Sequence, residues 1–69
     1  MKIFYVQDKD KHILYATYLK NSIEDFYKEY PSLINKTLIV QEDVKTNDIE
    51  KILVHAAKKI KESGKPQLL

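Results

Sequence analysis

The chain has 69 residues, 43% of them hydrophobic and 32% charged, with a net charge of +2 and no cysteine. This globular composition excludes a second domain, disulfides and thiolate metal sites, and with neither a membrane-length apolar run nor a signal-peptide pattern we expect a cytoplasmic protein. All twelve basic residues are lysines, which disfavours sequence-specific binding of DNA or RNA because lysine lacks the planar bidentate fork of arginine.

The N-terminal region predicts a β-hairpin. Residues 2–7 (KIFYVQ) and 12–19 (HILYATYL) are rich in β-branched and aromatic side chains, and residues 8–11 (DKDK) form a polar turn between them. The turn lacks glycine, which favours a four-residue loop that begins at an aspartate. In the resulting register, Val6 lies opposite Ile13.

A short helix and a third strand follow the hairpin. Asn21 or Ser22 is a suitable N-cap for a helix whose apolar residues recur at helical spacing between positions 23 and 30. Pro31 ends this helix after about two turns, because proline disfavours helical backbone at the residue before it. Residues 37–41 (TLIVQ) then predict a short strand with Leu38 and Val40 on its more apolar face and Thr37, Ile39 and Gln41 on the other.

The second predicted helix has the clearest periodicity in the sequence. Asn47 with Glu50 forms a capping arrangement, and Gly64 is a natural stop. The apolar residues between them fall within roughly 140° of one another at the helical period; they are Ile49, Ile52, Leu53, Ala56, Ala57 and Ile60. We expect the domain to span residues 1–64 and residues 65–69 to form a flexible tail.

The predicted fold is a single small domain of the α/β class (α+β type) with the element order β-β-α-β-α. A right-handed crossover through the first helix is expected to bring the third strand parallel to the second and beside the first. The result is a three-stranded mixed sheet. We expect both helices to cover the same face of this sheet.

The hairpin is apolar on both faces, although the helices of this fold would cover only one. We assign one face to the core because phenylalanine and aliphatic side chains are buried more often than tyrosine; it carries Phe4, Val6, Ile13, Tyr15, Thr17 and Leu19. The opposite face then exposes an apolar patch with His12 at its margin. Its residues are Ile3, Tyr5, Leu14 and Tyr18.

The exposed patch predicts an interaction module without enzymatic activity. Tyrosine and aliphatic side chains are enriched at partner surfaces, because the tyrosine ring is apolar while its hydroxyl accepts water. The module would form a homodimer or dock on another protein through this face. The alternative for the face itself is that the third strand, the tail or a tilted helix covers it.

A second hypothesis is weak, non-sequence-specific binding of single-stranded nucleic acid by sheet tyrosines and lysines. Few lysines flank the hairpin, and aspartates are interleaved with them, which disfavours this function. Lys51, Lys58 and Lys61 on the outer side of the second helix are the candidate phosphate contacts. A solvated helix face also explains these lysines.

The sequence predicts no catalytic or metal chemistry and no cofactor. With one glycine, it lacks phosphate-binding loops, the dinucleotide fingerprint and the nucleophile elbow. Asp8, Asp10 and His12 alternate through the hairpin turn, but lysines are interposed and turn aspartates have a local role there. His55 is predicted to be a surface residue of the second helix.

Overall fold

The computed structural model describes residues 1–64, and its elements follow the predicted order in one small α+β domain. The predicted tail, 65–69, lies outside the described residues. The elements are β1 (Lys2–Gln7), β2 (Ile13–Thr17), α1 (Lys20–Glu29), a short 3-10 helix (Pro31–Leu33), β3 (Leu38–Asp43) and α2 (Ile49–Glu62).

The strands lie in the order β2-β1-β3, and β1 is antiparallel to both of its neighbours. The predicted position of β3 beside β1 is therefore confirmed, and so is its direction, which is parallel to that of β2. The sheet is antiparallel rather than mixed, because β3 pairs with β1 and not with β2. β1 is the central and most buried strand, whereas β2 and β3 lie at the edges.

The hairpin loop is one residue shorter than predicted. The Asp8 N–H donates to the carbonyl oxygen of His12 at 3.0 Å, so the loop consists of residues 9–11. Lys11 has a positive φ of 67°. A residue in this left-handed conformation usually closes a three-residue hairpin loop. Asp8 Oδ1 accepts the N–H groups of Asp10 and His12, each at 2.9 Å, so the aspartate stabilises the turn.

A β-bulge follows the loop and changes the hairpin register. Gln7 lies opposite Ile13, whereas Val6 lies opposite Tyr15, which leaves Leu14 as the extra residue. The predicted pairing of Val6 with Ile13 is therefore wrong. The bulge directs Ile13 into the cluster beneath α2 and Leu14 toward the side of the sheet that α1 covers.

The helices lie on opposite faces of the sheet, so the prediction that both cover one face is wrong. α2 covers the face that we expected to be open. Ile3 and Tyr5, only 1% and 4% exposed, form a buried cluster there with Ile13, Ile52 and Ala56. A hairpin that is apolar on both faces requires a packing layer on each side, and the two helices provide these layers.

α1 packs on the opposite face of the sheet, which makes the fold three layers rather than two. The ring of Phe26 stacks on that of Tyr15, with 4.7 Å between the centroids and 15° between the planes. Ile23 is the buried residue of this helix. The Tyr27 hydroxyl lies 2.7 Å from Thr37 Oγ1 and connects α1 to the residue before β3.

Both helices begin within three residues of the predicted positions but use different caps. α1 starts at Lys20 without a side-chain cap, so the predicted cap at residues 21–22 is wrong. The cap of α2 is Asp48, whose carboxylate accepts the Glu50 N–H at 3.0 Å, rather than the predicted Asn47. The oxygen that caps the N-terminus of α2 therefore belongs to the residue directly after the predicted one.

The C-terminal end of α2 is bound to the hairpin by side-chain hydrogen bonds. His12 Nδ1 donates to the Ser63 carbonyl at 2.7 Å, and the Ile13 N–H donates to Ser63 Oγ at 3.0 Å. The same hydroxyl donates to the Ile60 carbonyl at 2.8 Å. Gly64 follows with a φ of 84°, as expected of a residue that ends a helix.

We expect Gly64→Ala to lower the free energy of unfolding by about 1 kcal/mol. A left-handed φ disfavours any Cβ, and a Cβ at Gly64 would lie 3.2 Å from the His12 ring. Urea denaturation of the native and variant chains measures the difference. Gly64→Asn is the control, since asparagine tolerates this φ better than alanine. Equal stability of Gly64→Ala and the native chain would contradict the strained contact.

Candidate functional site

The residues of the predicted partner interface do not form one exposed surface. Ile3 and Tyr5 lie in the core beneath α2. Leu14 and Tyr18 are half-buried on different faces, because the bulge directs Leu14 toward α1 while Tyr18 packs against the cluster under α2. His12 binds the end of α2. The coverage by a helix that we considered as the alternative is the arrangement observed.

The residues of the nucleic-acid hypothesis are also separated in space. Tyr5 is buried, and the Tyr15 ring is stacked on an aromatic ring of α1. Lys51, Lys58 and Lys61 are exposed on α2. The tyrosine rings and the lysines therefore form no common surface, and phosphate contact by these lysines stays a prediction.

β3 is the most exposed strand of the sheet. Both helices pack mainly against β2, which leaves β3 uncovered. Leu38, Ile39 and Val40 are 73%, 49% and 38% exposed. From the pairing with β1, Leu38 and Val40 lie on the face of α2 while Ile39 lies on the face of α1. The strand therefore exposes apolar side chains on both faces of the sheet.

The backbone of β3 directs alternate hydrogen-bonding groups away from the sheet. The Val44 N–H donates to the Met1 carbonyl at 2.8 Å, and the Met1 amino group donates to the Val44 carbonyl at 2.7 Å. Such doubly bonded pairs recur at every second residue of an antiparallel ladder, so the even-numbered residues of β3 bond to β1. The N–H and C=O groups of Ile39 and Gln41 consequently point outward.

We refer to this outward side of residues 38–43 as the outer edge of β3. Among residues 1–64, no strand pairs with the outer edge. Proteins usually protect such an edge with a lysine, a proline, a bulge or a covering element. β3 contains neither lysine nor proline, and its pairing with β1 has no register shift. The charged residues of β3, Glu42 and Asp43, lie at its C-terminal end, so its first three residues form an exposed apolar edge suited to binding a further strand.

A polar cluster connects β3 to α2 close to the outer edge. Glu42 Oε1 accepts the Tyr5 hydroxyl at 2.6 Å and lies 2.8 Å from His55 Nε2, while Glu42 Oε2 lies 3.5 Å from Lys59 Nζ. The Tyr5 hydrogen bond, supported by His55 and Lys59, holds the pKa of Glu42 below its usual value although partial burial opposes this. Burial and the adjacent carboxylate raise the pKa of Tyr5.

The chemistry of this polar cluster is consistent with a structural role. A carboxylate, an imidazole and a phenol are the groups of acid–base catalysis, but here the carboxylate is the shared acceptor of the other two. The cluster holds the C-terminal part of β3 against α2. His55, predicted to be a surface residue, is half-exposed and contributes to this contact.

Neither a search for other kinds of site nor comparisons with known proteins assign a function to this chain. Within residues 1–64, no three His, Cys, Asp or Glu side chains are placed to bind one metal ion. In the same part of the chain, no helix has both the length and the apolar composition needed to cross a membrane. Comparisons with protein-family models, curated proteins and solved structures found no match. The outer edge of β3 is therefore the candidate site.

Proposed function

We propose that this protein is a small, non-enzymatic interaction module that binds an extended protein strand along the outer edge of β3. The observation that carries the proposal is the outward backbone of Ile39 and Gln41 beside exposed apolar side chains. In strand addition, main-chain hydrogen bonds supply affinity and alternate side chains supply specificity. The proposal keeps the predicted class of function and the cytoplasmic location, but moves the binding surface from a sheet face to a sheet edge.

The surroundings of the outer edge support specific recognition. On the α1 face, a groove beside Ile39 is lined by Phe4, Ile23 and Tyr27, with Lys20, Glu24 and Gln41 also in its lining. Apolar side chains of an added strand would reach this groove. On the α2 face, the exposed side chains of Leu38 and Val40 extend the apolar surface, and β3 contains no lysine. A bound strand with consecutive apolar residues would contact both surfaces, because successive side chains of a strand point to opposite faces.

A selection from a random peptide library tests this proposal. Peptides of about ten residues match the length of a strand, and we expect the native chain to enrich those that contain consecutive apolar residues. Ile39→Pro should abolish their binding, because it removes an outward N–H and leaves the ladder to β1 intact. Val54→Lys is the matched control, since Val54 is exposed on α2 and outside the edge.

Ile39→Lys provides a second test that does not depend on proline. It places a charge at the outer edge, as protected edge strands do, while keeping the strand conformation. Circular dichroism establishes that each variant is folded. Selected peptides that bind both folded Ile39 variants as tightly as the native chain would contradict the proposal. A library that yields no peptide with consecutive apolar residues would contradict it as well.

A further inference from the structure

We infer that the strand bound at the outer edge is β3 of a second copy of this chain. The two three-stranded sheets would join into one continuous antiparallel sheet across a two-fold axis. This inference rests on the proposed function and names its partner. It depends on whether the sequence of β3 is complementary to itself when the strand is reversed.

Symmetry restricts the ways in which β3 can pair with its copy. A two-fold axis perpendicular to the sheet keeps each side chain on its own face, so residues that lie opposite each other must share a face. The axis must therefore lie midway between the two copies of one residue, so that this residue pairs with itself. Axes at Ile39 and at Val40 both bring the outward groups of Ile39 and Gln41 into hydrogen-bonding positions.

Centring the axis on Ile39 gives complementary side chains over residues 37–41. Apolar residues meet at the axis and beside it, and uncharged polar residues meet on either side of them. From the axis outward, the pairs are Ile39 with Ile39, Leu38 with Val40, and Thr37 with Gln41. The pairing ends there, because Lys36 lies in the turn before β3, where its N–H donates to the Leu33 carbonyl at 3.1 Å.

Centring the axis on Val40 gives a poorer match. Leu38 would then lie opposite Glu42, and Ile39 would lie opposite Gln41. Only Val40 itself would have an apolar partner. Cross-strand pairs stabilise a sheet when apolar residues meet apolar residues, so the sequence of β3 selects Ile39 rather than Val40 as the centre.

The rest of the fold favours a dimer that closes at two copies. β2 is the other edge of the sheet, and it is half-buried and carries the bulge at Leu14. Bulges disrupt edge pairing, so β2 is a poor template for further addition. Because β3 pairs with β3, the interface uses the same surface on both copies and does not propagate. A chain of this size also commonly gains stability by self-association.

Light scattering of the full chain over a concentration series measures the oligomeric state. We expect the mass of two chains at high concentration and a decrease toward one chain on dilution. Ile39→Lys should give the mass of a single chain at every concentration, because it places two ammonium groups at the axis. Val54→Lys adds the same charge on α2 and should dimerise like the native chain.

Introduced cysteines test the register, since the native chain has none. Two copies of residue 39 would have Cα atoms roughly 5.5 Å apart, within the reach of a disulfide. Two copies of residue 41 would lie four positions apart along the strand, roughly 14 Å. We therefore expect Ile39→Cys to form a disulfide-linked dimer under mild oxidation and Gln41→Cys, on the same exposed face, to remain unlinked.

The results distinguish this inference from the proposed function. A single-chain mass at all concentrations, together with selected peptides that bind the outer edge, would overturn the inference that the bound strand is a second copy. It would leave the proposed function unchanged. A dimer that Ile39→Lys does not disrupt, or faster linkage at residue 41 than at residue 39, would also overturn it. A monomer that binds no selected peptide would overturn both.

Discussion

Shortening Ile52 to alanine is expected to lower the free energy of unfolding by about 2–5 kcal/mol. Ile52 is 1% exposed and packs in the cluster that joins α2 to Ile3 and Tyr5, so the truncation leaves a cavity in the core. A single core below about 70–80 residues rarely supplies more than roughly 3–5 kcal/mol. We therefore expect Ile52→Ala to be largely unfolded at room temperature.

Leu53→Ala is the matched control for this prediction. Leu53 is the next residue of α2 and is 54% exposed, so its truncation removes a similar side chain from a surface position. We expect a loss below about 1 kcal/mol. Urea denaturation followed by circular dichroism measures both variants, in an Ile39→Lys background so that self-association does not contribute. Equal losses for the two would contradict the placement of α2 over the hairpin.

Replacement of Glu42 by alanine is expected to lower the free energy of unfolding by about 1–3 kcal/mol at neutral pH. The largely buried Tyr5 hydroxyl loses its acceptor, and His55 and Lys59 lose their shared partner. Asp43→Ala, at an exposed neighbouring position, is the control. A double-mutant cycle with Tyr5→Phe measures the coupling energy between the Tyr5 hydroxyl and the Glu42 carboxylate. A coupling energy of zero would show that the two groups do not interact.

The same cluster predicts a pH dependence of stability. The pKa of Glu42 is lower in the folded than in the unfolded chain, so its contribution is complete above its usual pKa of 4.5 and is lost as the pH falls through the folded pKa. The pKa of Tyr5 is raised, so its contribution is complete below its usual pKa of 10 and is lost above it.

Denaturation of the native and Glu42→Gln chains across this pH range measures the effect. Glutamine does not titrate, so we expect the stability of Glu42→Gln to fall less steeply than that of the native chain below pH 4.5. Parallel stability curves for the two chains in acid would show that Glu42 does not supply this dependence. The Ile39→Lys background again removes the contribution of self-association.

The sequence by itself determined the element order, the bounds of β1 and the apolar face of α2, of which Ile52 and Ala56 are buried while Ile49, Leu53, Ala57 and Ile60 are exposed. These features depend on local periodicity and on turn and stop signals, which a short segment carries in full. The position of β3 beside β1 and parallel to β2 was also predicted, from a crossover through the first helix.

The apolar surface was predictable only in part. Alternation along a strand tells which side chains share a face, but it does not tell which face a helix covers. In a hairpin apolar on both faces, Ile3 and Tyr5 fit an open surface as well as a core. Three consecutive apolar residues in β3 were the available signal, since such a run indicates either burial on both faces or an unprotected edge.

Only the tertiary structure decided which of these residues remain exposed. The left-handed Lys11 and the bulge at Leu14 set the register of β2, and a loop of this kind has no strong sequence signal without glycine. Packing of the helices on opposite faces, toward β2, then buried the predicted patch and left the outer edge of β3 uncovered. The physical reason is that each apolar face of the hairpin needed its own covering layer, and two helices were available to supply them.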